Sequence, residues 1–304
     1  MKKNINKTLF NLSRIYIRYF PFELGKWFLW ERYVRFYKNL TYTYTTTDKN
    51  KIKFKIKLPD TIQSYIYIFG IWEPVITNYF KKAIKPGDTV IDIGANIGYY
   101  SLLSSKLVGS KGKVFSIEAS PSIYTELLNN IKLNKQTNIN TYNAAVYNKQ
   151  ENLVLYKADK ENIGASSLFE RNKYKYTEES TISANTLDKI IPPKSIKNAR
   201  LIKVDIEGAE WFLVDGIKEL IKETNADWLI EISPTDIKST GGSVIEIKSI
   251  FFKSGYKAYI IDNKYDPSWY IRNNKDNIKL VETDLNIDDR FDILFTKKQL
   301  SNII

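Results

Sequence analysis

The stretch Val90-Ile91-Asp92-Ile93-Gly94-Ala95-Asn96-Ile97-Gly98-Tyr99-Tyr100 constrains the fold more than any other part of the chain. Thr89 to Ile93 is a short β-branched run with no polar face beyond Asp92, as expected of a central strand in a parallel sheet covered on both sides. Gly94 and Gly98 then let the backbone turn sharply and come close to a ligand, because neither carries a Cβ. A strand, a small-residue turn and a helix in that order place a ligand at the turn, beyond the carboxyl end of the strand.

The turn is not built as a diphosphate cradle. Asn96 stands where the dinucleotide fingerprint G-x-G-x-x-G has its middle glycine, and no glycine or alanine occupies the usual third place. What remains suits a nucleoside that carries an amino-acid chain, offering a carboxylate and an ammonium in place of a diphosphate. S-adenosylmethionine fits that description. A glycine pair after a strand is often only a tight connection, so the next strand matters. Lys113 to Glu118 is apolar and ends in a carboxylate about twenty residues beyond the turn, where an acid can accept both ribose hydroxyls. Ser120 and Pro121 follow as N-cap and first-turn proline, so a helix from Pro121 to about Asn134 starts directly behind that acid.

With further motifs along the chain, these residues resemble the FkbM-type S-adenosylmethionine-dependent methyltransferases. The likeness runs from roughly Gly70 to Pro234. It rests, in order, on Gly70-Ile71-Trp72-Glu73-Pro74, Asp92 to Tyr100, Glu118-Ala119-Ser120-Pro121, Asn143-Ala144-Ala145-Val146, Gly164-Ala165-Ser166-Ser167-Leu168, Thr186-Leu187-Asp188 and Lys203-Val204-Asp205-Ile206-Glu207-Gly208-Ala209-Glu210. The resemblance implies an α/β fold of the Rossmann-like class I methyltransferase type: a mostly parallel seven-stranded sheet with helices on both faces, over residues 61–304. Residues 1–60 would be an N-terminal helical and hairpin extension. It implies a methyl donor held by Glu73, Asp92, Gly94, Ala95, Asn96, Gly98, Tyr99, Glu118, Ala119, Ser120, Ala144, Ala145 and Asp205, with Glu118 on the ribose. Transfer is usually to an oxygen. Ser120 stands where many relatives have proline, and Ala119 is likewise variable.

Composition narrows the chemistry. With 304 residues, 43% of them hydrophobic, the chain can build a full core and act as an enzyme unaided. It has no cysteine, which excludes disulfides, a thiolate nucleophile and a cysteine zinc site. Histidine is absent too, so proton transfer falls to Asp, Glu, Lys or Tyr. No run of uninterrupted apolar residues reaches the eighteen or so of a membrane span, and the N-terminus lacks a compact apolar core followed by a cleavage site. A soluble, cytoplasmic protein is the expectation.

The net charge of +12 is partly concentrated in residues 1–40, which hold nine Lys or Arg against two acids, interleaved with aromatic residues from Phe10 to Tyr37. In one reading this basic aromatic helix lies on an anionic membrane surface, placing the protein at the periphery of the inner membrane. In the other, Leu24, Trp27, Phe28 and Tyr33 pack on the catalytic domain while Lys and Arg stay solvated.

Along the chain, Thr41 to Thr47 and Lys51 to Leu58 read as a hairpin turning at Asp48-Lys49-Asn50. Strands and helices then alternate: strand 89–93, helix 97–108, strand 113–118, helix 121–134, strand 139–146, a polar insert, strand 200–205, helix 209–223, strand 227–232 and helix 243–253. Tyr256 to Ile261 and Arg290 to Thr296 are β-rich, joined by a polar segment without a clear helix; the resemblance implies two closing strands here, one antiparallel. The insert from Lys149 to Lys189 forms part of an acceptor pocket or a surface hairpin.

Asp92, Glu118, Asp205 and Glu231 each fall near the carboxyl end of a strand, where such sheets bind ligands. Buried acids are costly unless paired, which favours a functional rim. Strand alternation puts Lys203, Asp205 and Glu207 on one side, with Val204 and Ile206 in the apolar layer. Asp205, Glu207 and Glu231 are the catalytic candidates: a carboxylate beside a transferring methyl can orient an acceptor hydroxyl and take its proton. Glu207 and Glu210 also suit the first turn of a helix, a purely structural benefit favoured for Glu210. A hard divalent cation such as Mg²⁺ on Asp205, Glu207 and Glu231 is the alternative, not the favoured reading. The function expected is O-methylation of a sugar, glycan or glycolipid hydroxyl. Lipid-linked or natural-product hydroxyls, or a donor-binding protein without turnover, are the alternatives. No nucleic-acid partner is expected.

Overall fold

The computed structural model describes residues 2–34, 42–158, 167–169, 176–272 and 278–299. Gly164 to Ser166 of the small-residue motif, and residues 35–41 with Phe36 and Tyr37, lie outside the described residues. In chain order the strands are β1 (Tyr42–Thr47), β2 (Lys53–Leu58), β3 (Thr89–Ile93), β4 (Lys113–Glu118), β5 (Ile139–Asn143), β6 (Ala145–Val146), β7 (Glu151–Ala158), β8 (Tyr176–Asn185), β9 (Ala199–Val204), β10 (Asp227–Ile232), β11 (Lys257–Ile261), β12 (Leu280–Thr283) and β13 (Phe291–Thr296).

Eight of them form the central sheet in the order β12-β11-β13-β10-β9-β3-β4-β5. The run from β10 to β5 is parallel, and β13 lies antiparallel between β10 and β11. These seven strands are the sheet anticipated from the sequence. The eighth, β12, adds an antiparallel edge to β11 from within the segment read as irregular. That segment also holds a helix, Pro267–Arg272, with Asp266 Oδ1 accepting from the Ser268 amide at 2.7 Å.

Successive strand residues feed opposite faces, as the two-residue period of a strand requires. Val90, Val114, Leu201, Leu229 and Leu294 join the helices Thr61–Phe69, Pro74–Ala83 and Tyr99–Val108 in one apolar layer. Ile91, Phe115, Ile202, Ile230 and Ile293 join Glu210–Gly216, Lys218–Glu223 and Val244–Lys253 in the other. The run 209–223 is two helices and not one, because the backbone of Ile217, at φ −126° and ψ 19°, leaves the helical conformation between them.

The run 139–146 also divides. After Asn143 the chain leaves the main sheet, and Ala145–Val146 pairs with β8 in a separate three-stranded sheet, β6-β8-β7. The polar insert is thus a sheet of its own beside β4 and β5.

The hairpin β1–β2 and the first helix, Lys2–Tyr19, belong to the first apolar layer through Phe10, Ile17, Ile52, Phe54 and Ile56. Arg18 is buried and donates to the Tyr67 carbonyl at 3.3 Å and to Thr46 Oγ1 at 3.2 Å, while Arg14 lies 4.2 Å from the Tyr67 ring centroid. Among the described residues, Phe10, Ile17, Trp30 and Val34 are the buried hydrophobic members of this region. The packing expected of Leu24, Trp27 and Phe28 is corrected: they are 83%, 42% and 64% exposed, because past Tyr19 the buried positions are Lys26, Trp30 and Val34, four residues apart; the Tyr33 side chain lies outside the described residues.

Candidate active site

The carboxyl ends of β3, β4, β9 and β10 open on a cavity of about 400 Å³, a size typical of small-molecule sites. Gly94 makes the geometry at its base. Its φ is +79°, and a Cβ there would lie 1.8 Å from the Asp205 carbonyl oxygen, so the turn after β3 rests directly on the end of β9. The amides of Gly94 and Ala95 both donate to the Ile117 carbonyl, at 2.9 and 3.0 Å, and the Asp205 amide donates to the Ile93 carbonyl at 3.0 Å. Three strand ends are thereby tied into one rim.

Glu118 is held by that rim. Its Oε2 accepts from the Asn96 amide at 2.8 Å and its Oε1 from the Ser120 amide at 2.9 Å. Asn96 reaches the necessary left-handed backbone, φ +50°, a conformation asparagine tolerates better than most residues. Burial pushes the Glu118 carboxyl up to about 7, against the two amide bonds that favour its ionised form. Each carboxylate oxygen keeps acceptor capacity toward the cavity beyond its one amide.

Asp205 stands just past β9, its Oδ2 2.9 Å from Lys203 Nζ. Lys203 is buried 5.0 Å from the Tyr100 ring centroid. Burial alone would lower its pKa, but the carboxylates of Asp205, Glu73 and Asp92 raise it further, so the ammonium persists. Glu73, buried at φ +41°, accepts from the hydroxyls of Tyr100 and, at 2.6 Å, Tyr265. Burial raises its pKa, and Lys203 draws it back.

The strand β9 ends at Val204, and alternation carries on only as far as Asp205. Ile206 lines the cavity as well as packing on the apolar layer, and Glu207 enters from a turn in which it and Gly208 take positive φ, +54° and +103°. Glu210 supports this turn from beneath, buried, with both oxygens accepting from the Gly208 amide at 3.1 Å. Burial lifts its carboxyl to about 7.

Of the residues anticipated from the sequence, the structure gathers Glu73, Gly94, Asn96, Glu118, Ala119, Ala144, Ala145, Asp205, Glu207 and Glu231 around the cavity. Asp92, Ala95, Gly98, Tyr99 and Ser120 do not line it. Asp92 points beneath the turn, accepting from Ser101 Oγ at 2.6 Å. Tyr99 is buried with its hydroxyl 3.1 Å from Thr77 Oγ1. Ser120 caps its helix and donates to Glu179 of the insert sheet at 2.8 Å. Gly98 avoids Leu127, which a Cβ would meet at 2.6 Å.

Arg290 is the functional side chain that sequence reasoning missed. It lies immediately before β13, and the antiparallel register that pairs Glu231 with Asp292 carries it to the open end of β10. There it contacts Glu231 Oε2 at 3.1 Å, Glu207 Oε2 at 3.3 Å and Asp236 Oδ2 at 2.5 Å. Burial and the charges of Asp205 and Glu207 push the Glu231 carboxyl well up, and Arg290 pulls it back. The cavity therefore meets its ligand with five carboxylates, Glu73, Glu118, Asp205, Glu207 and Glu231, and one guanidinium, although the whole chain carries +12. Such a lining suits a cationic ligand.

Residues 92–258 match the family model for the methyltransferase FkbM domain. The chain belongs to the FkbM methyltransferase family. Among solved structures, this family member is similar to an FkbM methyltransferase from Methylobacillus flagellatus, with 16% identity and a TM-score of 0.43 over 78% of this chain and 55% of that one. It is also similar to an rRNA methylase from Streptococcus thermophilus, with 12% identity and a TM-score of 0.41 over 75% and 99%. Over 40 residues, 13% of this chain, it is 45% identical to the ribosomal RNA large subunit methyltransferase E of Bdellovibrio bacteriovorus and 52% identical to that of Acinetobacter baumannii. The matched stretch spans about a fifth of the length of these curated relatives.

Proposed function

We propose that this family member is an S-adenosylmethionine-dependent methyltransferase that methylates an uncharged hydroxyl of a sugar, glycan or glycolipid. The observation that carries the reading is the acid-rich lining around Asp205: four further carboxylates against one guanidinium favour the cationic donor and disfavour a phosphate-bearing acceptor at the same mouth. A neutral hydroxyl approaches without that penalty, and nucleic acid is disfavoured for the same reason.

The donor supplies an electrophilic methyl on a sulfonium. The chain's own residues do the rest: Glu118 accepts the ribose hydroxyls and the Gly94 turn leaves room for the amino-acid portion. Lys203 holds the Asp205 carboxylate in one orientation, where it orients the acceptor hydroxyl and takes its proton as the oxygen loses electron density to the methyl. Glu207 and Glu231 shape the acceptor side. Because the displacement is in-line, this alignment supplies much of the acceleration. With labelled donor, the expected result is label on a neutral carbohydrate hydroxyl within a panel of glycans and glycolipids. Label confined to RNA, or to acidic acceptors, would overturn the assignment.

One observation favours a lipid-linked acceptor within this reading. The segment from Leu9 to Phe28 presents Leu12, Ile15, Phe20, Phe22, Leu24 and Phe28 to solvent, in a region with nine basic residues and two acids. An apolar face in a basic region matches an anionic membrane surface. Among the described residues no helix is long and apolar enough to cross a membrane. The protein should therefore float with anionic phosphatidylglycerol vesicles, less so at high salt. Replacing Phe22, Leu24 and Phe28 with serine, which leaves the buried docking face intact, should cut binding at least about tenfold, given the apolar area removed. A full chain that never floats removes the membrane from the account.

A further inference from the structure

We propose that Arg290 is the resident cation of the acceptor side, a positioning residue whose guanidinium holds Glu207 and Glu231, beside Asp205, as a divalent ion would otherwise do. One oxygen from each of these three carboxylates lies within 4.8 Å of the others, the spread of a hard-cation site. Such a cluster is strongly self-repulsive and half-buried, so something positive must hold it. Lys203 holds Asp205 at 2.9 Å, and the guanidinium holds the other two: its two terminal nitrogens reach Glu231 and Glu207 at 3.1 and 3.3 Å, and one of them also reaches Asp236 at 2.5 Å.

The geometry makes ion and side chain competitors. A divalent ion between the three carboxylates would have to draw Glu207 and Glu231 away from Arg290 and then sit beside its charge. The planar fork of arginine, unlike a spherical ion, also fixes the direction of each carboxylate it holds. Arg290, Glu231 and Tyr265 form a shared wall, lining both the main cavity and a neighbouring one of about 320 Å³. Losing Arg290 thus removes its charge from Glu207 and Glu231 on the acceptor side while leaving the Glu118 clamp on the donor side intact.

The test is titration of the full chain with Mn²⁺ alone, followed by electron paramagnetic resonance of the free ion. Wild type should bind no Mn²⁺ at these carboxylates, and its turnover should be indifferent to a chelator. Arg290→Met should gain a single Mn²⁺ site at least about tenfold tighter than anything in wild type, since two carboxylates lose their counter-charge. Adding Glu231→Gln to that variant should abolish the site, and Arg290→Lys, which restores a cation, should not have it. A merely structural arginine would move the melting temperature in these variants without creating an ion site.

Two results overturn the proposal. One is a folded Arg290→Met protein that binds no Mn²⁺. The other is tight Mn²⁺ binding to wild type that Glu207→Gln removes; this result needs no arginine variant to fold. Neither donor nor acceptor is present in the titration. Its failure would leave the hydroxyl-transfer reading standing, and failure of that reading would leave the ion competition standing.

Discussion

Asp205→Asn should lower turnover about a hundredfold while leaving donor affinity and melting temperature close to wild type. The expected size is that of losing a positioned proton acceptor, about 10²-fold at the low end of general-base contributions. The substitution is nearly isosteric, and the tie between strands β3 and β9 is unaffected because it runs through the Asp205 backbone amide, 3.0 Å from the Ile93 carbonyl. Lys203 keeps the carboxylates of Glu73 and Asp92 as neighbours, so the buried ammonium is not stranded. A loss confined to the chemical step, seen in single-turnover experiments with labelled donor, is the signature of an interaction made in the transition state. Wild-type turnover in the folded variant would take the proton-accepting role from Asp205.

The half of the cavity around the glycine turn was legible in the sequence because its signals are local. The glycines of the turn, the asparagine between them and the acid ending the next strand are each read from a few neighbouring residues, and Gly94, Asn96 and Glu118 do meet at the cavity. Asp92 shows where that reading stops: a strand end has two faces, and Ser101 on the following helix draws the carboxylate beneath the turn. Alternation likewise extends Lys203 to Asp205 and fails at Glu207, because Glu207 and Gly208 turn the chain with positive φ.

Arg290 was beyond reach for a different reason. It meets acids 54 to 83 residues away, through the register of an antiparallel pair that no local pattern encodes. The helix Pro267–Arg272 was not beyond reach: Asp266 followed by proline is a capping signal hidden in a polar segment. The exposed Leu24 and Phe28 mark the opposite error, an expectation that large apolar residues beside a domain pack upon it. Past Tyr19 the buried positions are Lys26, Trp30 and Val34, four residues apart, and Leu24 and Phe28 fall off that face.

Glu118 carries the central claim, that the donor lies against the acid ending β4. A ribose diol donates to the ionised carboxylate, so the donor competes with the proton that burial holds there to about pH 7. Donor affinity should fall as pH drops below about 7, level off above it, and be accompanied by proton release near neutrality. The sign for stability is the reverse. With a pKa raised from the ordinary 4.5, this group favours the native state at low pH, and that contribution is lost as pH rises through about 7.

The most direct measurement is a calorimetric titration of S-adenosylmethionine at pH 8 into wild type and Glu118→Ala, with circular dichroism to confirm that both are folded. The account predicts binding to wild type and about 2 kcal/mol of lost affinity in the variant, the scale of a charge-assisted hydrogen bond. Equal affinity in the two proteins would contradict it, as would binding of NADH in place of the methyl donor.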